Sequence, residues 1–259
     1  MIGMRPMAIG VGALARALGA AGLLLTVAAP AQARCEDGPG PGVDWSGCSK
    51  SRLVLAGDDF TGSVLNRATL SLTDFSGSKL SGAKLAETEV SRARFVGANL
   101  SHADFTKAIG WRANFTKANL TKASFNAADM SRSTFTQALL GGANFNKSEL
   151  NRSDFSGADL TRADMSRAEL ARVVFTAAKV TGVDFSYSNL SRADLTNLDL
   201  QGVDFTRSYL LFTQLSGANL SGAKGLTQAQ IDMACGSAST KLPEGLARPK
   251  SWPCTEDTQ

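Results

Sequence analysis

Histidine is almost missing from these 259 residues: His102 is the only one. Imidazole-based acid–base chemistry and His-rich metal sites lose their usual supplier. Cysteine is scarce too, with Cys35, Cys48, Cys235 and Cys254 and no C-x-x-C pair, so a zinc site is excluded and no cofactor is expected. Aromatic residues make up 7% of the chain. No apolar run reaches the roughly 18 residues a membrane-spanning helix needs. Charge of one sign is also lacking, because 27 basic residues face 23 acidic ones.

The longest apolar stretch lies at the N-terminus. Arg5 and Arg16 precede the run from Ala17 to Ala29, and Ala31-Gln32-Ala33 follows. A basic start, a short apolar middle and an A-x-A exit predict a secretory signal peptide over residues 1–33. A lipoprotein signal is the rival reading, since Cys35 follows closely, but Arg34 stands where a small residue belongs; an uncleaved anchor is the other. Removing residues 1–33 takes away two arginines and no acids, leaving 25 basic and 23 acidic residues. That near balance means a pI of about 9.0 does not by itself point to nucleic acid. In an oxidising compartment the four cysteines favour two local disulfides, Cys35–Cys48 and Cys235–Cys254.

What is abundant is repetition. From Leu55 to Leu220 every fifth residue is apolar except Gly110, and two places before each sits a small residue, usually Ala, Ser or Thr. A period of five fits neither a helix at 3.6 nor a strand at 2. Each repeat must instead turn its backbone once, and four turns close a square coil of twenty residues. The sequence supports that number independently, because residues twenty apart match. Phe75, Phe95, Phe115, Phe135, Phe155 and Phe175 form one column, and Leu80, Leu100, Leu120, Leu140 and Leu160 another. A third holds Phe105, Phe125, Phe145, Met165, Phe185 and Phe205; the fourth holds Leu150, Leu170, Leu190 and Leu210. These columns are the predicted core stacks. Gly110 leaves one core position empty, which Ile109 or Trp111 would fill. Val173, Val183, Leu198 and Val203 at small positions predict a slight bulge.

Units such as Ser156-Gly157-Ala158-Asp159-Leu160 resemble the pentapeptide-repeat family, whose usual unit is A-(D/N)-L-x-x. The resemblance covers about residues 51–225. It implies an all-β solenoid, a right-handed quadrilateral parallel β-helix of about nine four-repeat coils, roughly 40 Å long. The segments Gly40 to Cys48 and Gly225 to Cys254 resemble the ends of secreted bacterial members of unassigned activity. The chain then divides into a signal peptide (1–33), an N-terminal disulfide cap (34–50), the repeats (51–225) and a C-terminal helix and disulfide cap (226–259). Thr227 with Gln230 reads as a capping box opening a short helix from Gln228 to Cys235 that Gly236 stops. Leu226 and Ile231 would cover the last coil and Trp45 the first; such caps are what a solenoid needs against end-to-end association, though a dimerisation surface is the alternative.

The surface offers little catalysis. His102 stands alone at an outward position. Asp164, Asp184 and Asp204 share a column, a spacing open to a paired-carboxylate or calcium reading, but Asp or Asn before the apolar centre is the family's ordinary unit. The basic residues are more pointed. Arg52, Arg92, Arg112, Arg132, Arg152, Arg172 and Arg192 share one column, a stripe along one face broken by Leu72, while another column is mostly Gly. Like charges at strand spacing repel. Either a neighbouring acidic column, Glu89, Asp129, Glu149 and Glu169, neutralises them in a salt-bridge ladder, or Arg92 to Arg192 form a linear anion site for lipopolysaccharide, an acidic glycan or a nucleic-acid backbone. The expectation is a non-catalytic, exported scaffold, monomeric or dimeric, whose partner is a protein or an anionic polymer. The resemblance also implies an alternative, since some members mimic duplex DNA and protect topoisomerases from quinolones. That role wants an acidic cytoplasmic rod, which this chain is not.

Overall fold

The computed structural model describes residues 34–254. The expected signal peptide at 1–33 lies outside them, as do residues 255–259. Across the repeats the same local form recurs. The first two residues of each repeat make a turn, the fourth forms a parallel β-bridge, and the third and fifth point inward. The turn is closed when the third residue's N–H donates to the carbonyl preceding the turn, as from Ala118 to Phe115 at 3.0 Å. Its second residue has positive φ from Gly42 to Gly217, including twenty-four that are not glycine. Bridges join nearly every fourth residue to the residue twenty positions on, for example Asn99 to Asn119 and Glu149 to Glu169. The chain is therefore a solenoid of twenty-residue coils, in which each coil satisfies the backbone of the next.

The preference for Asp or Asn at the fourth position has a direct cause. Its side chain reaches forward to accept the N–H two residues on, a turn donor that the backbone ladder leaves without a carbonyl. Seventeen repeats make this bond. A short polar side chain that mimics a backbone turn suits that task.

Inside, the columns stack. Phe95, Phe115, Phe135 and Phe155 lie nearly parallel with centroids 4.6–4.9 Å apart, and the column through Phe105, Phe125 and Phe145 meets them edge-on at 5.7–5.9 Å. Offset stacks along the axis and edge contacts across it are the arrangements the ring quadrupole favours. The small inward position is mostly Ala, and where it is Ser or Thr the hydroxyl usually reaches a carbonyl, Ser63 Oγ being buried without a partner among the described residues. Ser133 Oγ donates to Gly110 O at 2.7 Å and Thr88 Oγ1 to Leu85 O at 2.6 Å.

The vacancy at Gly110 is filled differently from the sequence expectation. Ile109 points outward and is 53% exposed, and Trp111 lies on the outer surface. Met130, one coil on, reaches into the gap, so that a Cβ at Gly110 would overlap its Sδ. An unbranched, flexible thioether can span two core positions where Leu or Phe cannot. The expected bulge is visible. Around Leu198 no bridge joins Lys179 to Asp199, and the Phe155–Phe175 and Phe185–Phe205 stacks open to 5.5 and 5.7 Å.

Both ends extend the ladder. Upstream, the twenty-residue register is already running at Asp44 and Ser49, which bridge to Val64 and Thr69, and Trp45 takes a core position edge-on to Phe60. Cys35 and Cys48 are bonded, with Cα atoms 5.5 Å apart. Downstream, α1 (Gln228–Met233) opens with the capping box of Thr227 and Gln230. It ends at Ala234, and Gly236 serves another purpose: Trp252 packs against it so closely that a Cβ would overlap the indole ring. Ile231 is buried and Leu226 partly so. Buried Gln230 Nε2 donates to the carbonyls of Phe205 and Ser208, both at 2.9 Å. Cys235 and Lys241 pair with Gln214 and Asn219, so the segment held by Cys235–Cys254 (Cα atoms 5.4 Å apart) occupies part of the final strand edge.

Candidate arginine edge

Arg92, Arg112, Arg132, Arg152, Arg172 and Arg192 all occupy the second residue of the turn, with φ between 58° and 61°. The sequence predicts a stripe along one face; these residues run along a line of turns. A left-handed conformation costs a residue with a Cβ about 1 kcal/mol relative to glycine, and glycine takes this turn position at Gly57, Gly77, Gly157 and Gly217. Arginine in this column is thus not a requirement of the backbone. The ladder sets the spacing, because each arginine N–H donates to a carbonyl of the next coil, Arg92 to Trp111 at 2.9 Å and Arg132 to Asn151 at 2.9 Å. The side chains are exposed.

Among the described residues the ion pairs are Lys79–Asp59, Arg94–Asp74 and Lys179–Asp159, at 3.5–3.6 Å. None involves the arginine edge, so the salt-bridge ladder does not form. The acidic column spends its oxygens elsewhere. Glu89 accepts from Ser71 Oγ at 3.0 Å, Asp129 from the Ser131 N–H at 2.9 Å, and Glu169 from Asn189 Nδ2 at 2.8 Å. Several arginines find aromatic partners. Trp111, which interrupts a column otherwise mostly Ser, has Arg112 over its ring at 4.2 Å, with Arg92 at 5.4 Å and Arg132 at 5.9 Å. At the far end Arg192 lies 5.5 Å from Phe212. A guanidinium laid on a ring is held in place while its N–H fork remains free for a carboxylate, sulfate or phosphate. The sequence offers Trp111, like Ile109, as a filler of the Gly110 gap, and the structure places it on the outer surface instead. The signal that marks it is its place one residue before Arg112 in a column of small polar side chains.

The remaining candidates fall into structural roles. Asp164, Asp184 and Asp204 each accept an N–H two residues ahead, at 2.8–2.9 Å, like their counterparts elsewhere. Hydroxyl and N–H donors from Ser46, Thr61, Ser76 and Thr161 hold the carboxyls of Asp44, Asp59, Asp74 and Asp159 below the ordinary aspartate range. His102 is exposed at a turn. No cluster of three metal-ligating side chains occurs among the described residues, and no described helix is long and apolar enough to cross a membrane.

Comparison with known proteins follows this geometry. The model of the pentapeptide repeat region matches residues 111–176 and 148–224, and that of pentapeptide repeats (8 copies) matches 55–89 and 73–109. No curated protein matches the chain. Among solved structures it is similar to HetL, a pentapeptide repeat protein involved in heterocyst differentiation regulation in Nostoc sp. strain PCC 7120. Identity is 26% over 76% of this chain and 88% of that one, with a TM-score of 0.51. A pentapeptide repeat protein of the Arabidopsis thaliana thylakoid lumen is 32% identical over 39% of this chain and 66% of its own, with a TM-score of 0.23. Full-length QnrB1, a plasmid-mediated fluoroquinolone resistance protein, is 18% identical over 78% of this chain and 94% of its own, at 0.31. With the repeat models together spanning residues 55–109 and 111–224, the chain belongs to the pentapeptide-repeat family.

Proposed function

We propose that this chain is a non-catalytic, exported scaffold that binds an anionic polymer along its arginine edge. The observation that carries the reading is the column itself: exposed arginines, free of ion pairs, at turn positions where glycine is cheaper. Regular spacing at the coil repeat, about 4.8 Å, suits a linear ligand with many anionic groups, and Arg112 on Trp111 is the closest of the edge's aromatic contacts. Export is the reading of residues 1–33, and disulfides at both ends of the solenoid fit an oxidising compartment, periplasmic or extracellular. We take the coil to be right-handed and four-sided with about nine turns, and the organisation to be signal peptide, N-terminal cap, repeats and C-terminal cap as set out above.

The test is binding to heparin, polyphosphate, lipopolysaccharide and duplex DNA at several salt concentrations, for the native chain and for a variant with Arg92, Arg112, Arg132 and Arg152 changed to Gln. Salt-dependent binding that weakens at least tenfold in the variant supports the reading. Absence of salt-dependent binding to every polymer, or equal binding by both proteins, refutes it.

A further inference from the structure

A second departure from the repeat pattern lies ten residues along the coil from the arginine edge. In the repeat 141–145 both turn residues are glycine, Gly141 and Gly142, where the coils on either side carry Thr121-Lys122 and Thr161-Arg162. The missing side chains leave an open depression of about 500 Å³ lined by Lys122, Leu139, Gly141, Gly142, Asp159 and Arg162 among others.

Gly142 has positive φ, so its glycine has a backbone reason. Gly141 has none. Its φ is not in the left-handed region, and a Cβ there would meet nothing closer than Thr161 O at 4.0 Å. From Ser46 to Ser221 it is the one glycine at the first turn position, which is otherwise mostly Ser, Thr or Asn. Glycine at such a place costs conformational entropy without relieving strain. What it provides is space.

Leu139 adds to this. It stands where seventeen repeats carry the Asp or Asn that accepts the turn N–H. A leucine cannot accept, so the Gly141 N–H has no acceptor among the described residues, and the leucine itself is 52% exposed. On either side stand Lys122 and Arg162, two coils and therefore about 10 Å apart along the axis, neither of them in an ion pair among the described residues. Lys122 leans across the gap, its Cγ 3.7 Å from where a Cβ on Gly142 would be. At the rim Asp159 is already engaged by Thr161 and by Lys179 at 3.6 Å. Its negative charge limits how much further anionic charge the depression can hold.

We infer that this depression binds a small organic monoanion, a carboxylate or phosphate carried on a short apolar or ring body. The anionic group takes the Gly141 N–H, the Lys122 ammonium and the Arg162 guanidinium, and the body lies on Leu139. An unpaired N–H beside two cations is a donor set for a single anion. The adjoining apolar side chain selects for an organic one. The site shares no residue with the arginine edge and stands or falls separately from it.

The experiment follows the backbone amide signals of Gly141 and Gly142 in the purified full chain, titrated with acetate, hexanoate, glucuronate and inorganic phosphate. The expected result is a saturable shift of Gly141 with hexanoate or glucuronate at least about tenfold tighter than with acetate or phosphate. Whichever of the two saturates first assigns the ligand to an acyl carboxylate or a sugar acid. Gly141→Ser, which restores the column's usual residue and fits sterically, and the Lys122→Gln, Arg162→Gln double variant should each abolish saturation with unchanged thermal unfolding. Arg112→Gln should leave it intact. Shifts linear in concentration for every probe, equal affinity for phosphate and hexanoate, or undiminished binding by the folded Gly141→Ser protein would each overturn the proposal.

Discussion

The pairing of Gly110 with Met130 predicts a substitution whose effect changes sign with its neighbour. A Cβ placed on Gly110 would overlap Met130 Sδ and lie 2.8 Å from its Cε and 3.1 Å from Val90 Cγ2. In the native protein Gly110→Ala therefore forces the methionine out of the gap it fills, an overpacking cost of about 1–3 kcal/mol. Against this stand about 0.8 kcal/mol for a buried methyl and 0.4–1 kcal/mol from the lower entropy of the unfolded chain. The φ of Gly110 is not in the left-handed region, so alanine adds no backbone strain. The overlap with Met130 Sδ places the cost toward the upper end of its range, so the net effect is destabilisation of up to about 2 kcal/mol. Met130→Ala alone should cost about 3–5 kcal/mol, near the upper end for Met→Ala, because it empties two core positions. In that background the overlap is gone and only the gains remain, so Gly110→Ala should stabilise by about 1–2 kcal/mol. The coupling is then on the order of 1–3 kcal/mol, well above the scatter of independent sites. Urea unfolding with disulfides intact, comparing midpoints at constant slope, measures all four corners of the cycle. A coupling under about 0.5 kcal/mol would show that Met130 does not fill the space beside Gly110.

Other consequences are simpler. The carboxyls of Asp44, Asp74 and Asp159 titrate below the ordinary aspartate value of 3.8, chiefly through the serine or threonine two residues on. The unfolded chain therefore binds protons first as pH falls, and the stability they contribute is fully present above about pH 4 and lost below it. Asp159→Asn, which keeps an acceptor for the turn N–H, should flatten that part of the acid unfolding profile; an unchanged profile contradicts the assignment. Gln230→Ala leaves the Ser208 carbonyl without a donor, while the Phe205 carbonyl keeps the N–H and hydroxyl of Ser208, and should cost about 1–2 kcal/mol in thermal or urea unfolding, with greater concentration-dependent association by light scattering as the end loosens. A stable, equally monodisperse variant would show that α1 is not held this way. Replacing Cys235 and Cys254 by Ser opens a 19-residue separation and should cost about 3 kcal/mol; limited proteolysis should then cut the C-terminal segment before the repeats.

The fold was largely legible because every inward position obeys one rule. The match of Phe75 through Phe175 at intervals of twenty reports the coil length, since identical side chains stack best on themselves. The candidate sites were legible only in part. The column of Arg92 to Arg192 could be counted, but its place at left-handed turn residues depends on where each repeat bends. Its freedom from the acidic column depends on what else Glu89, Asp129 and Glu169 bond. Trp111 was misjudged because proximity in sequence to Gly110 suggested it as the filler, whereas the neighbour that matters is Met130, twenty residues away.

The repeats alone determined the solenoid, its register and the identity of the core, because a short local period propagates without any long-range choice. Only tertiary structure decided which side chains meet between coils: the Met130 knob in the Gly110 gap, the arginines gathered on Trp111, and the depression between Lys122 and Arg162. Apart from Arg112 on its neighbour Trp111, these contacts join residues about one coil or more apart, and their geometry comes from stacking rather than from any property of the individual repeat.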